Sequence, residues 1–108
     1  MTESRVVLIT GAGGGLGRAF AEGFAAQGDR VVVADIDGPG AERTVEVLVG
    51  RGAEALAVTV DVTSAESVRA MVDSLIARFG RLDVVVNNAA IYATLTRTPF
   101  TDIDPTEW

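Results

Sequence analysis

The chain is 108 residues long and 48% hydrophobic, enough to bury a core as one domain or part of one, and too apolar for a disordered tail. Its net charge of −6 comes from Asp and Glu spread along the sequence without a like-charge block, which argues against a nucleic-acid surface and against anionic membranes as partners. Cysteine and histidine are absent, excluding a disulfide framework, thiolate metal sites and the commonest neutral-pH base. None of the basic residues is a lysine. No apolar run approaches the roughly 20 residues of a membrane span, and Met1 to Ser4 is polar. Neither a transmembrane helix nor an export signal is therefore expected, and a cytoplasmic location is.

Val6-Val-Leu-Ile9 is a short, β-branched apolar run and predicts a strand buried on both faces. The glycine turn Thr10-Gly-Ala-Gly-Gly-Gly-Leu-Gly17 follows, and from Leu16 to Gln27 the spacing becomes helical. Leu16, Ala19, Phe20, Gly23, Phe24 and Gln27 form the expected inner stripe of this helix, closed by Gly28. Arg30 to Asp35 is the second strand, ending in an acid. Gly38-Pro39-Gly40 breaks the chain, and Pro39 suits the first turn of a second helix with Ala41, Val45, Leu48 and Val49 inward.

Ala55 to Asp61 is the third strand. Thr63 and Glu66 have the spacing of a capping box, and Val68, Met71, Val72, Leu75, Ile76 and Phe79 set the period of a third helix ended by Gly80. Leu82 to Asn87 is the fourth strand, Thr94 to Asp104 an irregular loop, and Asp104 to Trp108 the start of another helix. Apolar strands alternating with helices predict an α/β fold, a doubly wound parallel sheet of Rossmann type with four strands in order 3-2-1-4 and three helices. That order leaves an unprotected Val-Val-Val strand at an edge, so residues 1–108 are expected to be a single domain that is the N-terminal part of a larger, truncated sheet.

The glycine turn carries the first chemical signal. Without a Cβ, the backbone turns sharply and approaches a ligand, while the first amides of the following helix face an anion, for which a phosphate is the natural guest. It is no P-loop: Gly17 is followed by Arg18 where that motif needs Lys, and the glycine spacing differs. Asp35 stands about 20 residues on, where an acid accepts hydrogen bonds from an adenosine ribose and repels a 2′-phosphate, favouring NAD over NADP. The alternative is a strand-end cap on the next turn. Arg18 offers either a contact for a 2′-phosphate or a solvated position on the helix. Asp61 serves either the crevice or the cap of the third helix. Asn87 and Asn88 put two amides at the carboxyl end of the sheet, where such folds bind ligands, and one of them is expected to tie the strand-four turn to its neighbours.

Thr10-Gly11, Gly15 and Gly17 resemble the T-G-x(3)-G-x-G turn of the short-chain dehydrogenase/reductases, and Asp35, Asp61-Val62 and Asn87-Asn88-Ala89-Ala90 follow in that family's order and spacing. The resemblance runs from Arg5 to Trp108 and matches the family's cofactor-binding half; Ala90 replaces the usual last glycine of N-N-A-G. It implies that Gly11, Gly14, Gly15, Leu16 and Gly17 form the pyrophosphate and nicotinamide side of an NAD site. It further implies that Asp35 binds the adenosine ribose, Ile36 lines the adenine pocket, Asp61 contacts adenine with Val62 packed near it, and Asn88 lies by the cofactor ribose through its backbone while Asn87 braces the sheet.

The implied activity is hydride transfer between nicotinamide and a small carbonyl or secondary alcohol, in a full-length protein that associates into homo-oligomers. The Tyr-x-x-x-Lys pair and Ser that such chemistry uses have no counterpart here: Tyr92 is followed by Ala-Thr-Leu-Thr and is read as a loop residue. No catalytic residue is therefore assigned, and a free-standing, non-catalytic NAD-binding module is the alternative reading.

Overall fold

The computed structural model describes residues 4–89. The expected loop from Thr94, the helix start at Asp104, Tyr92 and Ala90 lie outside these residues. Seven elements follow one another: β1 (Val6–Thr10), α1 (Gly15–Ala26), β2 (Arg30–Asp35), α2 (Gly38–Gly50), β3 (Ala55–Thr59), α3 (Ala65–Phe79) and β4 (Val84–Val86). The strands form one sheet in the order β3-β2-β1-β4, and every pairing is parallel. The expected doubly wound topology is the one found.

β1 explains why the sheet is organised this way. All five of its residues are buried, because strands flank it on both sides and helices cover both faces. Side chains alternate across a strand. Val7, Ile9, Val31 and Val33 accordingly meet Ala21, Ala41 and Leu48 of α1 and α2 in one layer. Val6, Leu8, Val32 and Ala34 meet Met71 and Leu75 of α3 in the other. Each fully buried Val, Ile or Leu contributes about 1.5–3 kcal/mol of transfer free energy.

The base of the sheet is held by charges. Asp29, 7% exposed, accepts from Arg5 Nε at 3.0 Å and Nη2 at 2.9 Å. Asp83 accepts from the Val6 amide at 2.8 Å, and its carboxyl is held below the ordinary range by Arg81 first and the Val6 N–H second.

α2 and α3 face the sheet through most of the residues that periodicity predicts, Ala41, Val45 and Leu48 in one and Val68, Met71, Leu75 and Phe79 in the other, whereas α1 is rotated away from its predicted stripe. In α1 the buried positions are Gly17 and Ala21, with Phe24 and Ala25 partly buried behind them. Leu16 is 63% exposed, and Ala19, Phe20, Gly23 and Gln27 also face outward. The reason is steric: the start of α1 lies so close to the β1 turn that only its smallest residues fit beneath it, and this sets the rotation of the helix. In α2 the inner residues are Gly40, Ala41, Thr44 and Leu48, whereas Val49 is exposed. Met71 and Leu75 anchor α3, and Ile76 is exposed.

The ends differ as well. α3 is capped by Ser64, whose hydroxyl accepts from the Ser67 amide at 3.2 Å, rather than by the expected Thr63–Glu66 box. Thr63 is instead engaged with Asp61. β3 stops at Thr59, opposite the last residue of β2, and β4 is limited to the three residues that pair with Val7, Leu8 and Ile9. Gly28 closes α1 as expected: at φ +92° it allows its own amide to reach the Ala25 carbonyl and that of Asp29 to reach Phe24, satisfying two terminal carbonyls.

Two neighbouring residues of α2 test its inner face. Leu48→Ala is expected to destabilise the protein by about 2–5 kcal/mol, and Val49→Ala, at an exposed position, by no more than about 0.5 kcal/mol. Chemical denaturation of the two variants is the measurement; equal losses would refute the assigned face.

Candidate functional site

β1 and β2 end side by side, with Thr10 opposite Ala34, so their carboxyl ends deliver the glycine turn and Asp35 to one rim of the sheet. Ala12 extends the pairing by donating its amide to the Ala34 carbonyl at 3.2 Å. The chain then reverses through Gly11 at φ +68° and Gly15 at φ +56°, a conformation that side chains strongly disfavour. α1 begins on top of this turn. A Cβ on Gly17 would overlap the Gly11 carbonyl oxygen and come within 2.6 Å of Asn88 Nδ2.

Above the rim lies a cleft of about 310 Å³. It brings together six of the residues singled out in the sequence: Gly11, Asp35, Ile36, Asp61, Val62 and Asn88. Val60 and Ala89 complete the wall. The remaining four lie elsewhere. Gly14, Gly15 and Leu16 are exposed at the start of α1, and Gly17 is buried beneath them. Gly14 is the N-cap of α1, no side chain caps that end and no acid lies in its first turn. By contrast, Asp37 caps α2 and Ser64 caps α3. Among the described residues, α1 is thus the helix whose leading amides have no side-chain acceptor, and its end is the one suited to an anion.

Asp35 faces the cleft with both oxygens engaged. Oδ2 accepts from the Gly13 amide at 2.8 Å, and Oδ1 accepts from the Asp37 amide at 3.0 Å. A carboxylate offers about four acceptor sites, so both oxygens keep capacity for a ligand hydroxyl. The cap reading and the cleft reading are therefore compatible in one residue. Arg18 turns along the helix toward Glu22, at 3.6 Å. Asp61 accepts from the Thr63 hydroxyl at 2.6 Å and the Thr63 amide at 3.0 Å, and these two bonds, the hydroxyl first, hold its carboxyl below the ordinary range. Its own amide donates to Ser67 Oγ at 2.9 Å. Ile36 stands 71% exposed at the mouth.

Both strand-four amides tie the end of β4 to the neighbouring turn. Asn88 Nδ2 donates to the Gly11 carbonyl at 3.2 Å, and the Asn88 and Ala89 amides donate to Thr10 Oγ1 at 3.0 and 3.1 Å. The Thr10 hydroxyl faces Asn87 Oδ1 at 3.4 Å and the Val86 carbonyl at 3.5 Å. Asn88 thus supplies the main tie between β4 and the glycine turn, and Asn87 a longer one. Thr10, the first residue of the glycine turn, is the positioning residue at this junction, and Thr44 is the one that sequence reasoning passed over. Thr44 is fully buried and donates its hydroxyl to the Ala12 carbonyl at 2.9 Å. Its signal was present: it sits in register with Ala41 and Leu48 on the inner face of α2, where a hydroxyl needs a partner.

Two glycines separate backbone contact from solvent. Gly17→Ala is expected to cost roughly 1–3 kcal/mol or more through overpacking. Gly14→Ala, in extended backbone with open space around it, should leave the melting temperature nearly unchanged. Thermal denaturation reads both. The Asp61 carboxyl, lowered on folding, contributes stability above the ordinary carboxylate range that is lost as pH falls through its depressed value. Thr63→Val removes the larger cause and should move the Asp61 carbon-13 titration toward the ordinary range; an unmoved midpoint would refute that cause.

The short chain dehydrogenase family model matches residues 5–108. The chain is similar to the CLA biosynthesis dehydrogenase/reductase of Lactiplantibacillus plantarum, 42% identical over 89 residues, which cover 82% of this chain and 31% of that protein. Its fold matches the crystal structure of a short chain dehydrogenase/reductase from Burkholderia phymatum in complex with NAD at a TM-score of 0.74 and 41% identity, covering 77% of this chain and 30% of the other. It also matches an alcohol dehydrogenase from Thermococcus sibiricus complexed with 5-hydroxy-NADP at a TM-score of 0.74 and 33% identity, covering 77% and 36%. The chain spans about a third of the length of the curated relatives it matches. With its 3-2-1-4 parallel sheet, its glycine turn and a family match over almost every residue, the chain belongs to the short-chain dehydrogenase/reductase family.

Proposed function

We propose that this chain is the cofactor-binding part of an NAD-dependent oxidoreductase that moves a hydride between nicotinamide and a small carbonyl or secondary alcohol. The observation that carries the cofactor preference is Asp35: it lines the cleft, and the Gly13 and Asp37 amides fix its carboxylate there. A fixed carboxylate accepts from ribose hydroxyls and repels a 2′-phosphate.

The dinucleotide fits the residues present. The α1 end has free leading amides, and a Cβ on Gly14 or Gly15 would meet nothing, so backbone there is open to a pyrophosphate. In this reading Gly11, Gly14, Gly15, Leu16 and Gly17 form the turn beneath the pyrophosphate and the nicotinamide side. Ile36 and Val62 wall the adenine, Asp61 accepts a hydrogen bond from its amino group, and Asn88 lies beside a ribose. Bound nicotinamide supplies the hydride acceptor or donor. This chain's residues bind and orient it. We assign the acid–base step to none of them, because the chain has neither His nor Lys and Tyr92 lacks a supporting cation in register.

Calorimetry on the protein expressed from its complete reading frame tests the cofactor reading: NAD is expected to bind at least about tenfold more tightly than NADP. Asp35→Ala should narrow that ratio. Equal affinities in the native protein would overturn the role of Asp35. A complete reading frame without a Tyr-x-x-x-Lys segment would leave the non-catalytic binding module as the correct reading.

A further inference from the structure

We infer that Thr44, a residue of α2 outside the cleft, is a positioning residue that sets the cofactor preference of this site by holding one peptide group; the inference rests on the ribose reading of Asp35. The peptide between Ala12 and Gly13 is gripped at both ends. Its carbonyl accepts from Thr44 Oγ1 at 2.9 Å, and its N–H donates to Asp35 Oδ2 at 2.8 Å. Because a peptide is planar, with C=O and N–H pointing in opposite directions, fixing the carbonyl fixes the direction of the amide. A hydrogen bond to the carbonyl also polarises the N–H and strengthens its bond to the carboxylate.

The surroundings leave this peptide little other support. Thr44 and Ala12 are both fully buried, so water has no ready access to the carbonyl. Gly13 is wedged between α2 and Asp35: a Cβ there would lie 2.8 Å from Asp35 Oδ2 and 3.1 Å from the Ala41 amide. On the far side, a Cβ on Gly40 would come within 3.0 Å of the Gly13 carbonyl oxygen. The inner face of α2 is thus packed directly on the loop that orients Asp35. Without the Thr44 hydroxyl, the Ala12 carbonyl becomes a buried acceptor without a donor, and rotation of the peptide toward another donor withdraws the Gly13 N–H from Asp35. A carboxylate released from that amide can turn away from the cleft. It then accepts less well from ribose hydroxyls and repels a 2′-phosphate less.

The test is the ratio of NAD to NADP affinity, measured by calorimetry on the protein from its complete reading frame. Thr44→Val keeps shape and removes the donor, and the ratio is expected to fall roughly tenfold, the effect of losing one charge-assisted hydrogen bond. Thr44→Ser keeps the hydroxyl and should restore the native ratio. A purely structural role weakens both cofactors alike and leaves the ratio where it was. If Thr44→Val does not fold, Thr44→Cys, a weak donor of similar size, should lower the ratio in the same direction. A native preference for NAD that survives unchanged in the valine or cysteine variant overturns the role of Thr44 alone. A native protein with no such preference overturns the Asp35 reading and this inference together.

Discussion

The close approach of α1 to the turn that precedes it governs the site and much of the fold around it. At Gly17 no side chain of any size fits, because the Gly11 carbonyl and the Asn88 amide occupy the space where a Cβ would be. That contact fixes the height of α1 above the strand and its rotation, and rotation decides which residues face the sheet. Ala21 lies one turn along, with Phe24 and Ala25 beyond it, and they follow Gly17 inward. Leu16 and Phe20 are carried outward although they are among the most apolar residues of the helix. Packing energy that a larger inner face would contribute is forgone. In return, the leading amides of α1 stand over the strand ends with no side chain in front of them.

The polar groups around the rim are linked through backbone more than through each other. Thr10 is the centre of one set. Its hydroxyl receives the Asn88 and Ala89 amides and joins the end of β1 to the end of β4. Asp35 is the centre of another, joining β2 to the glycine turn through Gly13 and to the start of α2 through Asp37. Asp61 forms a third set with Thr63 and Ser67 at the entry to α3. Each acceptor is thus held in place before any ligand arrives, and such preorganisation lowers the entropic cost of binding. Two carboxylates in the cleft also give it a negative field.

The alternation of apolar runs and glycine or proline breaks made the seven elements and the sheet order legible in the sequence, because a strand apolar on both faces has few ways to be covered. The cleft residues were legible for a related reason: ligand groups in such a sheet come from strand ends, and Gly11, Asp35, Asp61 and Asn88 each fall just past an apolar run. The inner face of α1 was less so. A stripe of apolar residues at helical spacing fits α1 equally well in two rotations, and periodicity counts hydrophobicity while the contact at Gly17 rewards the absence of a side chain. Capping was ambiguous in the same way, since Thr63 and Ser64 both precede α3 and only the demand of Asp61 for two donors assigned Thr63 to the turn.

By itself the sequence determined the order of strands and helices, the family, and which residues reach the rim, because these depend on local periodicity and on residue types at strand ends. The tertiary structure alone decided the rotation of α1, the hydrogen bond from buried Thr44 to the Ala12 carbonyl, and the part of Asn88 in tying β4 to the glycine turn. Those features join residues 32 and 77 positions apart in the chain, and nothing local to either partner specifies the other. They arise only when packing brings the two backbones together and each buried polar group must find a partner.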